Sequence, residues 1–184
     1  TFVFDNDHPC VGDAAPRALA ATAGLSRPRP APGVAPLAVP GTTILSLLAG
    51  VELATLAQRF PEASAHVRVM PNLAVALGKA PIALAERGLD GTGRAALVEL
   101  LRSLGTPAWV GEDEFDLVTA LAGSGPAFVY RFIDALAPAA LDLGLPREQA
   151  DRLALAMVEG AAALAAASPD DPGELARRVA SPGG

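Results

Sequence analysis

The feature that most constrains the fold of this chain is a change in the spacing of its apolar residues after residue 111. Before it, short apolar runs typical of strands, "TILSLLAG" (43–50) and "HVRVM" (66–70), alternate with amphipathic stretches typical of helices, such as "ELATLAQRF" (52–60). After it, the helical spacing continues. Alternating strands and helices predict βαβ units and a mostly parallel sheet. We therefore expect a sheet domain at residues 1–111 and a helical domain at residues 112–184.

The remaining elements fit the same division. Strand-like runs in the first domain are "TFVF" (1–4), "APIALAE" (80–86) and "PAWVG" (107–111), with a helix over "GRAALVELLRSLG" (93–105). In the second domain the apolar spacing, with glycines and prolines at the breaks, predicts four helices. These helices are expected over 113–121, 125–143, 146–167 and from 172 onward.

Composition limits the classes of partner. Acidic side chains outnumber basic ones 20 to 14, and the formal net charge of −6 disfavours nucleic acid. The most apolar stretch contains Glu159 and is shorter than the roughly 20 residues of a membrane span, so we expect no membrane partner. Cys10 is the only cysteine, which excludes an intrachain disulfide and favours a reducing, cytoplasmic location. His8 and His66 are too isolated to predict a metal site.

The helical stretch at residues 149–168 predicts a second copy of the chain. Apolar residues surround most of this helix: Leu153, Leu155, Met157, Val158, Ala161, Ala162, Leu164 and Ala165. A helix that is apolar on nearly all sides must be buried on nearly all sides, and one small domain cannot supply that cover. We expect a homo-oligomer built on a dimer. The alternative is an ordinary helical bundle packed on its own sheet domain.

Four short motifs carry a resemblance to a known family. They are "VRVMPN" (67–72), "ALAGSGPAFVYRFIDAL" (120–136), "LGLP" (143–146) and "SPGG" (181–184). In this order and spacing the chain resembles the pyrroline-5-carboxylate reductases. The resemblance implies an α/β Rossmann-like N-terminal domain followed by an all-α dimerisation domain, in dimers or rings of dimers. It also implies NAD(P)H-dependent reduction of 1-pyrroline-5-carboxylate to L-proline, with NADPH or NADH as cofactor.

The sequence departs from the family in its first part. The fingerprint G-x-G-x-x-G that follows the first strand of a Rossmann domain is missing, and in the family that strand would lie before Thr1. We therefore interpret the N-terminal domain as truncated. The proline-rich stretch at residues 26–43 indicates internal gaps, the alternative being a proline-rich linker. Two alternatives to the reductase remain: a non-catalytic dimerising relative of the same scaffold, and another imine or hydroxyacid dehydrogenase.

Imine reduction asks little of protein side chains, because the cofactor supplies the hydride and the protein positions two rings. No catalytic residue is predicted. A substrate carboxylate needs donors, which backbone N–H groups in a glycine-rich turn provide. The expected substrate-binding residues are Ser181, Pro182, Gly183 and Gly184, together with Gly125 and Ser124, a predicted N-cap. At both places the alternative is a connector between helices that binds no ligand.

The resemblance also implies where the cofactor binds. The family's Val-Met-Pro-Asn turn corresponds to Met70, Pro71 and Asn72, although Leu73 and Ala74 replace the Thr-Pro that usually follows. Ala38 and Val39 of "LAVP" match the family's Ala-Val-Lys-Pro loop without its lysine. Asp5, at the end of a strand-like run, is expected to hold an adenosine ribose hydroxyl and to favour NADH, the alternative being a plain turn.

Overall fold

The structure is a computed structural model that describes the backbone of residues 2–4 and all of residues 38–180. The chain divides into two compact units, Thr1–Gly125 and Pro126–Gly184, which we call the sheet unit and the helical unit. This division lies between Gly125 and Pro126. The domain boundary expected after residue 111 stays a prediction.

The sheet unit contains a five-stranded sheet whose spatial order is the chain order. Its strands are β1 (Phe2–Phe4), β2 (Thr43–Ser46), β3 (Ala65–Met70), β4 (Ala80–Arg87) and β5 (Gly105–Trp109). The expected parallel pairing is confirmed for β1 with β2, β2 with β3, and β4 with β5. It is wrong for β3 and β4, which are antiparallel. Residues 71–79 are too few for a parallel crossover, which takes about a dozen residues.

Helices cover both faces of this sheet. Helix α1 (Leu53–Arg59) connects β2 to β3, and α2 (Gly91–Leu101) connects β4 to β5. Successive strand side chains point to opposite faces, so two apolar clusters form. Leu97 and Leu101 of α2 pack on one face, with Leu45, Val67, Val69, Ala80, Ile82 and Leu84. The other face packs Val51, Leu53, Leu56, Ala83, Ala85 and Phe115.

The chain from β3 to β4 passes through a short 3₁₀ helix, Leu73–Leu77. Asn72 caps its start, because the side-chain Oδ1 accepts the backbone N–H of Ala74 at 2.9 Å. Gly78 ends it with φ at +66°, a left-handed conformation that glycine adopts without strain. The end of β3 is therefore followed by a turn whose geometry is fixed by its own residues.

A π-helical turn ends the sheet unit. Helix α3 (Phe115–Val118) continues into this turn at Thr119–Ser124, where the sequence predicts a break and a new helix capped by Ser124. The predicted cap is wrong: Ser124 lies inside the turn, and Gly125 continues it with helical φ of −51° and ψ of −40°. Glycine is needed at 125 because a Cβ there would collide with the Leu121 carbonyl oxygen.

The helical unit contains the expected helices as α4 (Pro126–Asp142), α5 (Arg147–Ala167) and α6 (Pro172–Val179). Asp171 caps α6, with its Oδ1 accepting the Glu174 N–H at 2.9 Å. Alanines form the contact between α4 and α5: Ala137, Ala150 and Ala154. None of the helices within residues 38–180 combines the length and the apolar character needed to cross a membrane.

Candidate functional site

The candidate site lies where β3 ends. Met70, Pro71 and Asn72 follow one another there and are each partly exposed. Because β2 and β3 are parallel, their carboxyl ends share one edge of the sheet, the edge where open α/β sheets bind ligands. The structure thus places three of the predicted cofactor-binding residues at a favourable edge.

Asn72 joins this edge to the π-helical turn. Its Nδ2 donates to the carbonyl oxygen of Ala122 at 2.9 Å. In an α-helix that carbonyl would accept the N–H of residue 126, and Pro126 has no N–H. Asn72 therefore supplies the donor that Pro126 lacks, and the motifs "VRVMPN" and "ALAGSGP" meet through this bond.

The Asn72 amide is not saturated by these contacts. A carboxamide offers two N–H donors and two lone pairs on its oxygen. Asn72 uses one donor on Ala122 and one lone pair on the Ala74 N–H. Among the contacts of residues 38–180, one donor and one acceptor remain on this partly exposed side chain, and these two groups match the acceptor and donor of another carboxamide.

An apolar groove of about 460 Å³ adjoins Pro71 on the α2 side of the sheet. Its lining consists of Leu45, Leu47, Val69, Pro71, Val75, Ile82, Leu100, Leu101, Ser103 and Leu104. Ser103 is the one member with a hydroxyl group. The groove suits the apolar face of a ring and offers no charged group for a phosphate.

A dinucleotide-like spacing elsewhere does not form a second site. Gly91, Gly93 and Ala96 open α2 after β4 with the pattern G-x-G-x-x-A. However, the carboxylate Oδ1 of Asp90 already accepts the Gly93 N–H at 2.7 Å. Because β4 runs antiparallel to β3, this helix start lies at the sheet edge opposite Asn72. An acidic cap at the wrong edge is a poor phosphate site.

The other predicted site residues are distributed as follows. Ser124 and Gly125 lie in or directly after the π-helical turn, beside the Ala122 that Asn72 contacts. Ala38 and Val39 precede β2 and so lie toward its amino end, and the structure does not bring them together with Met70. Asp5 and the four residues Ser181, Pro182, Gly183 and Gly184 lie outside the described residues.

Sequence reasoning missed two charged residues next to the site. Arg68 of β3 is only 3% exposed, and its guanidinium Nη1 lies 3.0 Å from Oε1 of Glu112. Its guanidinium carbon lies 3.9 Å from the centre of the Phe115 ring. The available signal was a basic residue in the middle of "HVRVM", an otherwise buried strand, where a charge is rare unless it is paired.

A separate cavity, lined by both polar and apolar side chains, lies in the helical unit between α4 and α5. It measures about 290 Å³, and Tyr130, Asp134, Pro138, Arg147 and Asp151 are among its lining residues. The side-chain hydrogen bond to Asp151 raises the pKa of Arg147 above its ordinary value. Arg147 and Asp151 thus neutralise each other, and within residues 38–180 no three His, Cys, Asp or Glu side chains gather as metal ligands.

Known proteins match most of the chain. Residues 112–184 match the family described as pyrroline-5-carboxylate reductase dimerisation. The chain is 46% identical over 142 residues to the pyrroline-5-carboxylate reductase of Aquifex aeolicus, covering 77% of this chain and 54% of that protein. It is 39% identical over 151 residues to the Pisum sativum enzyme of the same name, covering 81% and 55%.

Solved structures give the same result. A pyrroline-5-carboxylate reductase from Coxiella burnetii matches with a TM-score of 0.74 and 33% identity, over 77% of this chain and 53% of that one. A Plasmodium falciparum pyrroline carboxylate reductase with NADP bound matches with a TM-score of 0.70 and 27% identity, over 78% and 58%. The chain spans about half the length of the curated relatives that it matches.

Proposed function

Because the chain belongs to the pyrroline-5-carboxylate reductase family, we propose that it serves in the reduction of 1-pyrroline-5-carboxylate to L-proline with NADPH or NADH. One observation carries the proposal to this chain's own residues. The Asn72 side chain bonds the Ala122 carbonyl at 2.9 Å and so brings the two most characteristic motifs together at one edge of the sheet.

The residues at this edge fit the nicotinamide end of the cofactor. Met70 and Pro71 offer partly exposed apolar surface, and Asn72 keeps a free donor and a free acceptor for the ring carboxamide. When bound, the reduced nicotinamide supplies a hydride to the imine carbon. The protonated C=N then becomes CH–NH without a further proton, so the protein needs no strong acid. Its task is to hold the two rings in line and to exclude water.

The substrate carboxylate needs hydrogen-bond donors. We assign substrate binding to Ser181, Pro182, Gly183 and Gly184, which follow α6 and Ala180 in the sequence, and to Ser124 with Gly125. Pro182 has no N–H and would fix the turn, while the others would donate. Serine hydroxyls and glycine N–H groups are uncharged donors that approach an anion closely. Asp171 caps α6 and fixes where that helix starts. A fixed start also fixes the position of Val179, the last residue of α6, from which the chain leads to Ser181.

The proposal includes a homodimer, alone or in a ring of dimers, and a cytoplasmic location. The match of residues 112–184 to a dimerisation domain supports the dimer, as do large exposed apolar side chains on α4 and α5. The net charge of −6 supports a small-molecule substrate rather than nucleic acid.

The test is turnover of 1-pyrroline-5-carboxylate with NADPH and with NADH, followed by cofactor oxidation and proline formation. Asn72→Asp is the decisive variant, since it keeps the cap on Ala74 and places a carboxylate oxygen against the Ala122 carbonyl. We expect kcat/KM to fall by on the order of 10- to 100-fold, because the two motifs separate.

The control is Asp90→Asn, the reverse exchange at another helix cap, which should leave kcat/KM unchanged. An active Asn72→Asp variant would show that the contact with Ala122 is dispensable. A wild-type chain that forms the dimer and shows no turnover would support the non-catalytic relative instead.

A further inference from the structure

The Glu112 carboxylate joins three segments of the sheet unit. Its Oε1 accepts one hydrogen bond from the guanidinium Nη1 of Arg68 on β3. It accepts another from the backbone N–H of Leu53, the first residue of α1, and each measures 3.0 Å. Glu112 itself stands three residues before Phe115, the first residue of α3, whose ring packs against the Arg68 guanidinium. One carboxylate thus fixes β3, α1 and α3 relative to each other.

The pair is nevertheless incompletely satisfied. Nε of Arg68 and Oε2 of Glu112 are both buried, and neither has a hydrogen-bond partner in the described part of the chain. Taking charges out of water is costly, and apolar residues of similar volume often replace a buried ion pair without loss of stability. A pair with two unmet groups is therefore a poor source of stability, and what it contributes is the relative position of the segments it joins.

The place of the Arg68–Glu112 pair in the chain indicates which residues the pair positions. Arg68 lies on β3, two residues before Met70 at its end and four before Asn72, and Glu112 and Phe115 precede Ala122 on the other segment. The two segments that meet at the Asn72–Ala122 bond are thus joined a second time by the Arg68–Glu112 pair, whose members precede Asn72 and Ala122 in the chain. Arg68 and Met70 also share a sheet face, so a displaced Arg68 would move Met70, the first residue of the turn at Met70–Asn72.

We infer that Arg68 and Glu112 are positioning residues that hold the turn at Met70–Asn72 in register with the π-helical turn. The inference rests on the proposed function, because the turn matters only where a cofactor uses it. Neither residue touches a ligand in this role. They act through Asn72, by keeping its Nδ2 within reach of the Ala122 carbonyl.

The chain contains its own control. Arg94 pairs with Glu86 at 3.5 Å and lies over the Trp109 ring at 4.6 Å, and Glu86 also accepts a backbone N–H, that of Leu89. This second group likewise combines an arginine, a glutamate and an aromatic ring, and its glutamate also accepts a backbone N–H. It lies on α2, β4 and β5, and its arginine is more exposed than Arg68.

The test compares Arg68→Met/Glu112→Gln with Arg94→Met/Glu86→Gln in the full chain. Each double variant removes two opposite charges and keeps an amide oxygen for the backbone N–H. We expect the first to weaken NADPH binding, measured by fluorescence titration, about tenfold or more, because misplacement of a positioning group is costly. Hydrogen exchange should increase at residues 70–78 and 119–125 and stay unchanged at 91–101. The second double variant should show neither change.

Three outcomes would overturn the inference: unchanged NADPH affinity in the first variant, unchanged exchange at both turns, or a uniform increase in exchange across the sheet unit with a lowered Tm. If the double variant does not fold, Glu112→Gln alone decides. It keeps both bonds of Oε1 but removes the charge that strengthens the one to Arg68, so a smaller increase in exchange is expected at the same two turns. If the wild-type chain binds no dinucleotide, the proposed function fails, while the exchange data still decide whether the pair holds the two turns together.

Discussion

The sheet unit and the helical unit bury opposite kinds of side chain. In the sheet unit, leucine, isoleucine, valine and phenylalanine are inside, in two clusters on the two faces of the sheet. In the helical unit the buried residues are alanines, and the large side chains are outside: Phe128 is 74% exposed and Leu164 is 59% exposed. The first unit covers its own core, and the second brings its helices close through small residues and leaves its large ones for another surface.

The spacing of the exposed residues supports this reading. Phe128 and Phe132 lie one turn apart on α4, on the side away from Ala137. Leu153, Met157 and Leu164 form a similar stripe on α5, beside the contact made by the buried alanines. A small domain has little stability to spare, and leaving this much apolar surface in water would lower it further. The comparison therefore predicts that the helical unit depends on association and the sheet unit does not.

The largest expected effect is on association. Phe128→Asp places a charge on the exposed apolar side of α4 and should cost the dimer about 2 kcal/mol or more, the range of a central aromatic contact. Size-exclusion chromatography with light scattering should show monomer or aggregate at micromolar concentration.

The control for this variant is Leu100→Asp on α2, where an exposed leucine of the sheet unit receives the same charge. It should leave the dimer intact. Equal loss of the dimer in both variants would contradict the division between the two units.

A smaller effect is expected in the core of the sheet unit. Leu84 of β4 is fully buried, so Leu84→Ala should lower the free energy of unfolding of this unit by about 2–5 kcal/mol, through lost burial and the cavity left behind. Urea unfolding at two protein concentrations provides the measurement. The transition of the sheet unit should not move with concentration, whereas that of the helical unit should move, because association stabilises it by mass action.

The smallest effect concerns the π-helical turn at the end of the sheet unit. Gly125→Ala forces a Cβ against the Leu121 carbonyl oxygen and should cost about 1–3 kcal/mol, the range for an overpacked site. Gly123→Ala is the matched variant, since its Cβ would meet only the Thr119 side chain at an ordinary 3.5 Å. Thermal unfolding should separate the two variants, and equal Tm values would argue against this close approach of Leu121 to Gly125.

Element type was predictable over most of residues 43–179, because burial on one face leaves a period that the sequence shows. The direction of a strand was not predictable, since the apolar residues of β4 have the same spacing whether it runs parallel or antiparallel to β3. The short connection at residues 71–79 was the available signal. The π-helical turn was also missed: Gly123, Ser124 and Gly125 suggest a break, and only the contact of Asn72 with Ala122 reveals why a continuous helix widens there.

The site was predictable to the same partial extent. Asn72 was identified from its place after a strand, but its two internal bonds are properties of the folded chain. Arg68 and Glu112 are far apart in sequence, and neither belongs to a motif that predicts an ion pair. What joins them is the position of α1 and α3 on one face of the sheet, which local patterns do not specify.

The strand order has a consequence for how the protein is made. In this sheet each strand lies beside the strand that precedes it in the chain, so a strand leaving the ribosome finds its neighbour already synthesised. The antiparallel pair β3 and β4 needs only residues 71–79 to close, and short closures form early. The Asn72 turn would then exist before its acceptor Ala122 has been translated. The bond between Asn72 and Ala122 would therefore form last, when the π-helical turn meets a turn that is already in place.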